Sequence, residues 1–170
     1  PKTLFVVGSY LIGKEKVFLS IASRIQTKVF TEKRKMKVYQ TVAAHDKNLG
    51  LFLTSNKEEA LVHVVPMNHI NHQILFNLKQ SVEGIDQVVA FRPTGWTFTS
   101  SKTPPPSSQP FNVKMLKPVY LDDNITVIPL PYSEHSSYTE LKAFCQNLEI
   151  QDILPTVNLD PKSRAEMTAI

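Results

Sequence analysis

Residues 4–18 read Leu4-Phe5-Val6-Val7-Gly8-Ser9-Tyr10-Leu11-Ile12-Gly13-Lys14-Glu15-Lys16-Val17-Phe18. The first four residues form an apolar run closed by Gly8, the pattern of a strand buried on both faces. From Lys14 the period changes. Val17, Phe18, Ile21 and Ile25 recur at helical spacing and give one apolar face. A strand, a glycine-bounded loop and a helix open an α/β unit.

The same alternation continues outward. Lys28–Phe30 reads as a short strand, Glu32–Thr41 as a basic helix and Leu49–Thr54 as another short strand. Ala60–Val65 is a strand stopped by Pro66. Asn68–Gln80 carries Ile70, Ile74, Leu75 and Leu78 at helical spacing. Gln87–Phe91 is a buried-strand pattern ended by Pro93 and Gly95. Thr99–Pro110, TSSKTPPPSSQP, is too rich in Ser and Pro to pack and reads as an extended loop. Ile125–Ile128 resumes as a strand, and Ser137-x-x-Glu140 is a capping box ahead of a helix. Ile153-Leu154 is expected to be a last strand, and Pro161 to open a final helix. Strands alternating with helices imply an α/β fold with a mainly parallel sheet.

The chain has 170 residues, 42% hydrophobic and 20% charged, enough for one domain or pieces of two. Its apolar runs fall far short of the roughly 18 residues of a membrane span. No secretory signal pattern is present at the start. The single cysteine, Cys145, excludes an internal disulfide and fits a reducing compartment, cytosol or nucleus. The chain starts abruptly on a strand after Pro1 and ends as a helix begins over Lys162–Met167, so it is expected to be a piece of a longer protein. Net charge is 19 − 15 = +4, and it is uneven. Between Lys14 and Lys37 eight basic and two acidic residues give 8 − 2 = +6, leaving −2 elsewhere. Such a segment either attracts polyanions or is a solvated helix face.

Gly8-x-x-x-x-Gly13-Lys14 has the spacing of a nucleotide-binding P-loop, between a strand and a helix. That motif needs Ser or Thr next, to hold magnesium, and Glu15 stands there instead. Its carboxylate would repel phosphates, so nucleotide hydrolysis is disfavoured. An acid in the first turn of a helix is favoured by the helix dipole in any case. Among the histidines, His45 and His63 stand alone. His69 and His72 are three apart, with nothing nearby to complete the three or four ligands of a zinc site. His135 differs, because it lies in Pro131-Tyr-Ser-Glu-His-Ser-Ser-Tyr138 between a strand and a capped helix. Such a loop offers an imidazole to a metal and hydroxyls to phosphate oxygens. Chemistry alone leaves ligand and bland roles evenly matched.

The segments GSYLIGKEKVF, LVHVVPM, AFRPTGWT, PYSEHSSYTELKAF and PTVN occur in this order. Together they resemble the DNA-repair branch of the β-CASP metallo-β-lactamase nucleases, the DNA cross-link repair family that includes Artemis-like enzymes. The resemblance runs from about Leu4 to Arg164. It implies most of a β-CASP domain over 1–98, a Ser/Pro-rich loop over 99–118, and the returning C-terminal part of a metallo-β-lactamase αββα sandwich over 119–170. It implies that Glu15 orients a metal-binding histidine, that His135 is a metal ligand, and that Val157 marks a DNA-directed member. By loop position Ser133, Ser136, Tyr10 and Lys14 are candidate phosphate contacts, the alternative for the serines being to cap the helix. The Lys14–Lys37 segment would follow the DNA backbone, and Trp96 would either stack a base or pack between domains.

The family's main metal motif, H-x-H-x-D-H, is absent, as are the later His and Asp. A zinc site on His135 alone is excluded. The resemblance therefore implies the C-terminal portion of a zinc-dependent nuclease, inactive by itself without the N-terminal metallo-β-lactamase segment. The intact enzyme would use one or two zinc ions to make hydroxide near neutral pH. It would trim DNA 5′-to-3′ from a 5′-phosphate end in the nucleus, during interstrand cross-link repair, with other repair proteins as possible partners. The alternative is a catalytically inactive DNA- or protein-binding module of the same fold.

Overall fold

The computed structural model describes residues 1–43, 47–95, 116–151 and 161. They fall into two compact units, Pro1–Ser133 and Glu134–Ile170.

The first unit is built on one sheet. Its strands are β1 (Thr3–Ser9), β2 (Lys28–Thr31), β3 (Leu53–Thr54), β4 (Ala60–Pro66), β5 (Gln87–Thr94), β6 (Val119–Asp122) and β7 (Ile125–Pro131). Their spatial order is β3-β2-β4-β1-β5-β7-β6. All neighbours are parallel except β6 with β7. The helices are α1 (Glu15–Ile25), α2 (Lys33–Ala43), the short α3 (Lys47–Phe52) and α4 (His72–Ser81). The expected α/β architecture and mainly parallel sheet are therefore present.

Strand β1 sits between β4 and β5 and feeds both cores, because its side chains alternate between the faces of the sheet. Leu4 and Val6 join Val65, Leu75, Val88, Ala90, Ile125 and Val127 on the α4 side. Val7 joins Phe18, Ala22, Val29, Tyr39, Leu49, Val62 and Val64 under α1, α2 and α3. The crossover from β1 through α1 runs towards β2, and that from β4 through α4 runs the opposite way to β5. Opposite directions on opposite faces keep a single hand of crossover. The sheet is doubly wound, and its switch point lies between β1 and β4.

Three details differ from the sequence reading. Leu49–Phe52 is the end of α3, and only Leu53–Thr54 is strand. A short apolar run does not separate helix from strand by period alone. Strand β6 was not anticipated. It is an exposed edge, with Tyr120 75% accessible, so it shows no burial pattern. Strand β5 continues through Pro93 to Thr94. Its pairing with β1 stops at Phe91, whereas its pairing with β7 continues to Thr94. Beyond Phe91 one side of β5 is an edge, which is where a strand accepts proline. The expected strand at Ile153-Leu154, the Ser/Pro-rich loop over Thr99–Pro110 and the helix after Pro161 lie outside the described residues.

The second unit contains α5 (Tyr138–Gln146). Both halves of the expected capping box form. The Glu140 amide donates to Ser137 Oγ at 3.2 Å, and the Ser137 amide donates to Glu140 Oε2 at 2.7 Å. The Ser137 amide is the main reason that the Glu140 carboxyl titrates below its ordinary range.

Gly8 sets how closely β1 approaches the turn after β4. A Cβ there would stand 2.9 Å from both Ile70 Cγ1 and Met67 Sδ. Gly8→Ala is expected to cost about 1–3 kcal/mol by overpacking, read as a lower denaturant midpoint. Buried His63 packs on Phe30 at 4.8 Å between ring centroids, and its Nε2 lies 3.2 Å from the Lys57 carbonyl oxygen. Burial lowers its pKa. Below about pH 6.5 the unfolded chain therefore takes up a proton that the folded chain resists. Stability is expected to fall as pH drops through that range, and less steeply in His63→Leu.

Candidate nucleic-acid interface

Because β1, β2, β4, β5 and β7 run parallel, the loops after them emerge along one edge of the sheet. These loops carry Tyr10–Lys14, Glu32, Met67–Asn68, Gly95 and Tyr132–Ser133. Four of the six site residues expected from sequence, and within the described structure, belong to this edge: Tyr10, Lys14, Glu15 and Ser133. The other two, His135 and Ser136, are exposed residues of the second unit, just before the α5 cap. Val157, Trp96 and His45 lie outside the described residues.

The β1–α1 loop is held by two buried polar side chains. Ser9 Oγ lies 2.8 Å from the Gly13 carbonyl oxygen and 3.0 Å from that of Tyr10. Lys35, reaching in from α2, donates to Ser9 Oγ at 2.8 Å and to the Tyr10 carbonyl oxygen. Its ammonium also sits 5.1 Å from the centroid of the Tyr39 ring. Desolvation lowers the Lys35 pKa to about 8, and the Glu15 charge opposes that shift.

Gly13 and Lys14 both have positive φ, 98° and 69°, so the chain reverses before α1 begins. A lysine in the left-handed region costs roughly 1–2 kcal/mol. Its own side chain offsets this. Lys14 Nζ donates to the Tyr132 carbonyl oxygen at 3.2 Å and lies 5.2 Å from the Tyr132 ring centroid. That contact ties the first loop to the loop that carries Ser133. Ser133 itself is exposed, close to the place where a Cβ on Gly95 would be, 3.4 Å from its own Cβ.

Glu15 is half-buried and turns back into the loop. Its Oε1 accepts the Gly13 amide at 2.7 Å. In a P-loop such amides cradle phosphate; here a carboxylate of the chain occupies one. The structure thus supplies a physical reason, beyond charge, why the glycine spacing does not make a nucleotide site. The same orientation leaves Glu15 fixed rather than swinging with solvent. Tyr10 is 63% exposed and stands next to exposed Leu11 and Ile12.

The basic segment is not one solvated face. Lys16, Arg24, Lys28, Lys33, Arg34 and Lys37 are exposed, whereas Lys14 and Lys35 are buried. Sequence reasoning missed the internal role of Lys35. The available signal was its place four residues before Tyr39, on the inward side of α2. It also missed Arg92 in the FRPTGW segment, whose Nη2 donates to the Ile70 carbonyl oxygen at 2.5 Å and ties β5 to the start of α4.

His72 pairs with an acid rather than with His69. Its Nε2 lies 2.8 Å from Asp122 Oδ2. The Asp122 carboxyl is held below its ordinary range first by the Asn124 amide and then by His72. Among the described residues no three His, Cys, Asp or Glu side chains gather in a way that could hold a metal ion. The described residues therefore do not fit a closed zinc centre. Among them, too, no helix is long and apolar enough to cross a membrane.

Lys35 Nζ is expected to titrate near pH 8 by nitrogen-detected NMR, well below the ordinary lysine range. Lys35→Met should release the loop, raising amide exchange across Tyr10–Ile12 about tenfold or more while the β1 amides remain protected.

The sequence was compared with known proteins. Residues 47–161 match the family described as DNA repair metallo-beta-lactamase. The chain is 42% identical over 169 residues to the DNA cross-link repair 1A protein of Gallus gallus, covering 98% of this chain and 16% of the relative. It is 38% identical over 159 residues to the DNA cross-link repair protein SNM1 of Arabidopsis thaliana, covering 93% of this chain and 31% of the relative. A more distant relative, the 5' exonuclease Apollo of Mus musculus, is 25% identical over 161 residues, covering 95% and 24%. The chain thus spans between about a sixth and a third of the length of these relatives. With the match over 47–161, the order of motifs and the α/β sheet all in agreement, this chain belongs to the DNA repair metallo-beta-lactamase family.

Proposed function

We propose that this chain is the DNA-engaging portion of a metal-dependent DNA nuclease acting 5′-to-3′ in interstrand cross-link repair, in the nucleus. The observation that carries this reading is the family match combined with the carboxyl edge of the sheet, where the Tyr10–Glu15 loop is rigidly held. Family membership implies metal ions; zinc is the proposed metal, with His135 one ligand and the remaining ligands outside the described residues. When bound, the metal would supply Lewis-acid chemistry at the phosphodiester.

The residues of this chain have nearer tasks. Glu15, fixed by the Gly13 amide, is suited to hold a histidine ring in one orientation. Ser133, Tyr10 and Ser136 are proposed to contact phosphate oxygens by hydroxyl groups, and Lys14, buried and bonded to the Tyr132 carbonyl, to contact phosphate by charge once that bond is exchanged. A 5′-phosphate end carries extra negative charge and would favour such a set. Exposed Lys33, Arg34 and Lys37 would follow the backbone. Val157 is proposed to favour DNA over RNA. Contacts with other repair proteins are part of the proposal. Of the region over 119–170, the part after Ser133 is proposed to belong with the metallo-β-lactamase sandwich, because β6 and β7 share the sheet of β1–β5.

A second reading keeps the fold and the DNA binding but not the metal site. On that reading the chain binds DNA without chemistry. The two readings part on one comparison. In the intact protein, His135→Ala is expected to remove nuclease activity while circular dichroism and the melting temperature stay unchanged, because His135 is exposed. Activity retained in that variant contradicts the nuclease role of His135. For the chain itself, the logarithm of the binding constant for 5′-phosphorylated single-stranded DNA should fall linearly with log salt, with a slope of about −0.7 per phosphate contacted.

A further inference from the structure

The switch point between β1 and β4 opens into a crevice of about 610 Å³. Ser9, Thr31 and Lys35 line it together with Val64. Tyr10 and Leu11 contribute from the β1–α1 loop, and Pro66 and Met67 from the turn after β4. The volume falls within the roughly 300–1,000 Å³ of small-molecule sites, and switch points are where α/β sheets place them.

The chemistry of the lining narrows the ligand. Tyr10, Leu11, Pro66 and Met67 supply apolar surface. Two donor bonds of Lys35 already go to Ser9 and Tyr10, so its ammonium is largely committed within the protein. Thr31 is 1% exposed, and its hydroxyl is buried with no hydrogen-bond partner. A buried hydroxyl left unpaired is costly, and a hydroxyl both donates and accepts. Glu32 and Arg34 also line the crevice, with opposite charges, so they do not select a polyanion. Apolar walls with one donor–acceptor group suit a flat ring that has apolar faces and a polar edge. Exposed Tyr10 is a ready stacking surface, and base–aromatic stacking is a main source of single-strand affinity.

We propose that this crevice receives one unstacked nucleobase of the DNA strand, with Tyr10 against the face of the base and the Thr31 hydroxyl, once a small side-chain shift uncovers it, bonded to its edge. The inference rests on the DNA reading above and adds a base-binding subsite to it.

The test is an NMR titration of the full chain, labelled at methyl groups and Thr31, with each of the four deoxynucleosides, with their 5′-monophosphates and with inorganic phosphate. Shifts at Thr31, Val64 and Met67 are expected with at least one nucleoside and its monophosphate, and not with phosphate alone. Thr31→Val should weaken that nucleoside about tenfold, the loss expected for one hydrogen bond, while the melting temperature holds or rises because a buried unpaired hydroxyl is removed. Tyr10→Ala should weaken it by a similar factor through lost stacking. Shifts reproduced by phosphate alone, or nucleoside binding unchanged in Thr31→Val, overturn the proposal. A 5′-phosphorylated single-stranded oligonucleotide titrated in parallel separates the two failures. If it binds while no nucleoside shifts the crevice, the subsite is wrong and the DNA reading stands. If it does not bind, the DNA reading falls and the base subsite with it.

Discussion

Strand β1 must be buried on both faces, and much of the structure depends on that constraint. Leu4 and Val6 serve one core and Val7 the other. Burial of three such side chains stabilises the fold by roughly 1.5–3 kcal/mol each, so β1 alone joins two cores that would otherwise be separate layers. A strand in that position must be paired on both sides, and it is, to β4 and β5. Once β1 is central, the crossovers leave in opposite directions, and a crevice between the loops after β1 and β4 is the geometric result.

The functional loop inherits its rigidity from the same arrangement. Gly8 lets β1 run close under Ile70 and Met67. Ser9 then begins a loop that closes on itself through the Gly13 carbonyl and on α2 through Lys35. Keeping a lysine there is costly, since desolvation lowers its pKa to about 8, but its ammonium is bonded to two loop groups, Ser9 Oγ and the Tyr10 carbonyl oxygen. Lys14 faces its partner from a backbone fixed at positive φ, and Glu15 from the first turn of α1 that follows. Presenting groups from a fixed frame would limit the ordering cost of binding the proposed DNA strand.

Much of this was legible in the sequence. The apolar run at Leu4–Val7, the helical spacing of Val17, Phe18 and Ile21, and the Ser137–Glu140 capping box each carry their structural meaning in adjacent residues. The motifs also carried the family, which the match over residues 47–161 bears out. What was hidden depends on contacts distant in sequence. Lys35 reads as one more surface cation until the fold places it 26 residues away from its partner Ser9. Pro93 reads as a stop until the different lengths of the two neighbouring ladders show that β5 is an edge on one side there. The Thr31 hydroxyl has no sequence signal at all, because whether it is unpaired depends on every element around it.

The shared edge formed by the carboxyl ends of the parallel strands is the feature that turns fold into function. Photocrosslinking tests it most directly. A single-stranded DNA carrying 5-iodouracil along its length would be bound to the chain, irradiated, and its attachment sites mapped by mass spectrometry. Crosslinks are expected on peptides containing Tyr10, Met67 and Tyr132, at the carboxyl ends of β1, β4 and β7. Crosslinks confined to the opposite edge, on peptides around Lys2, Lys57 and Glu83, would contradict it.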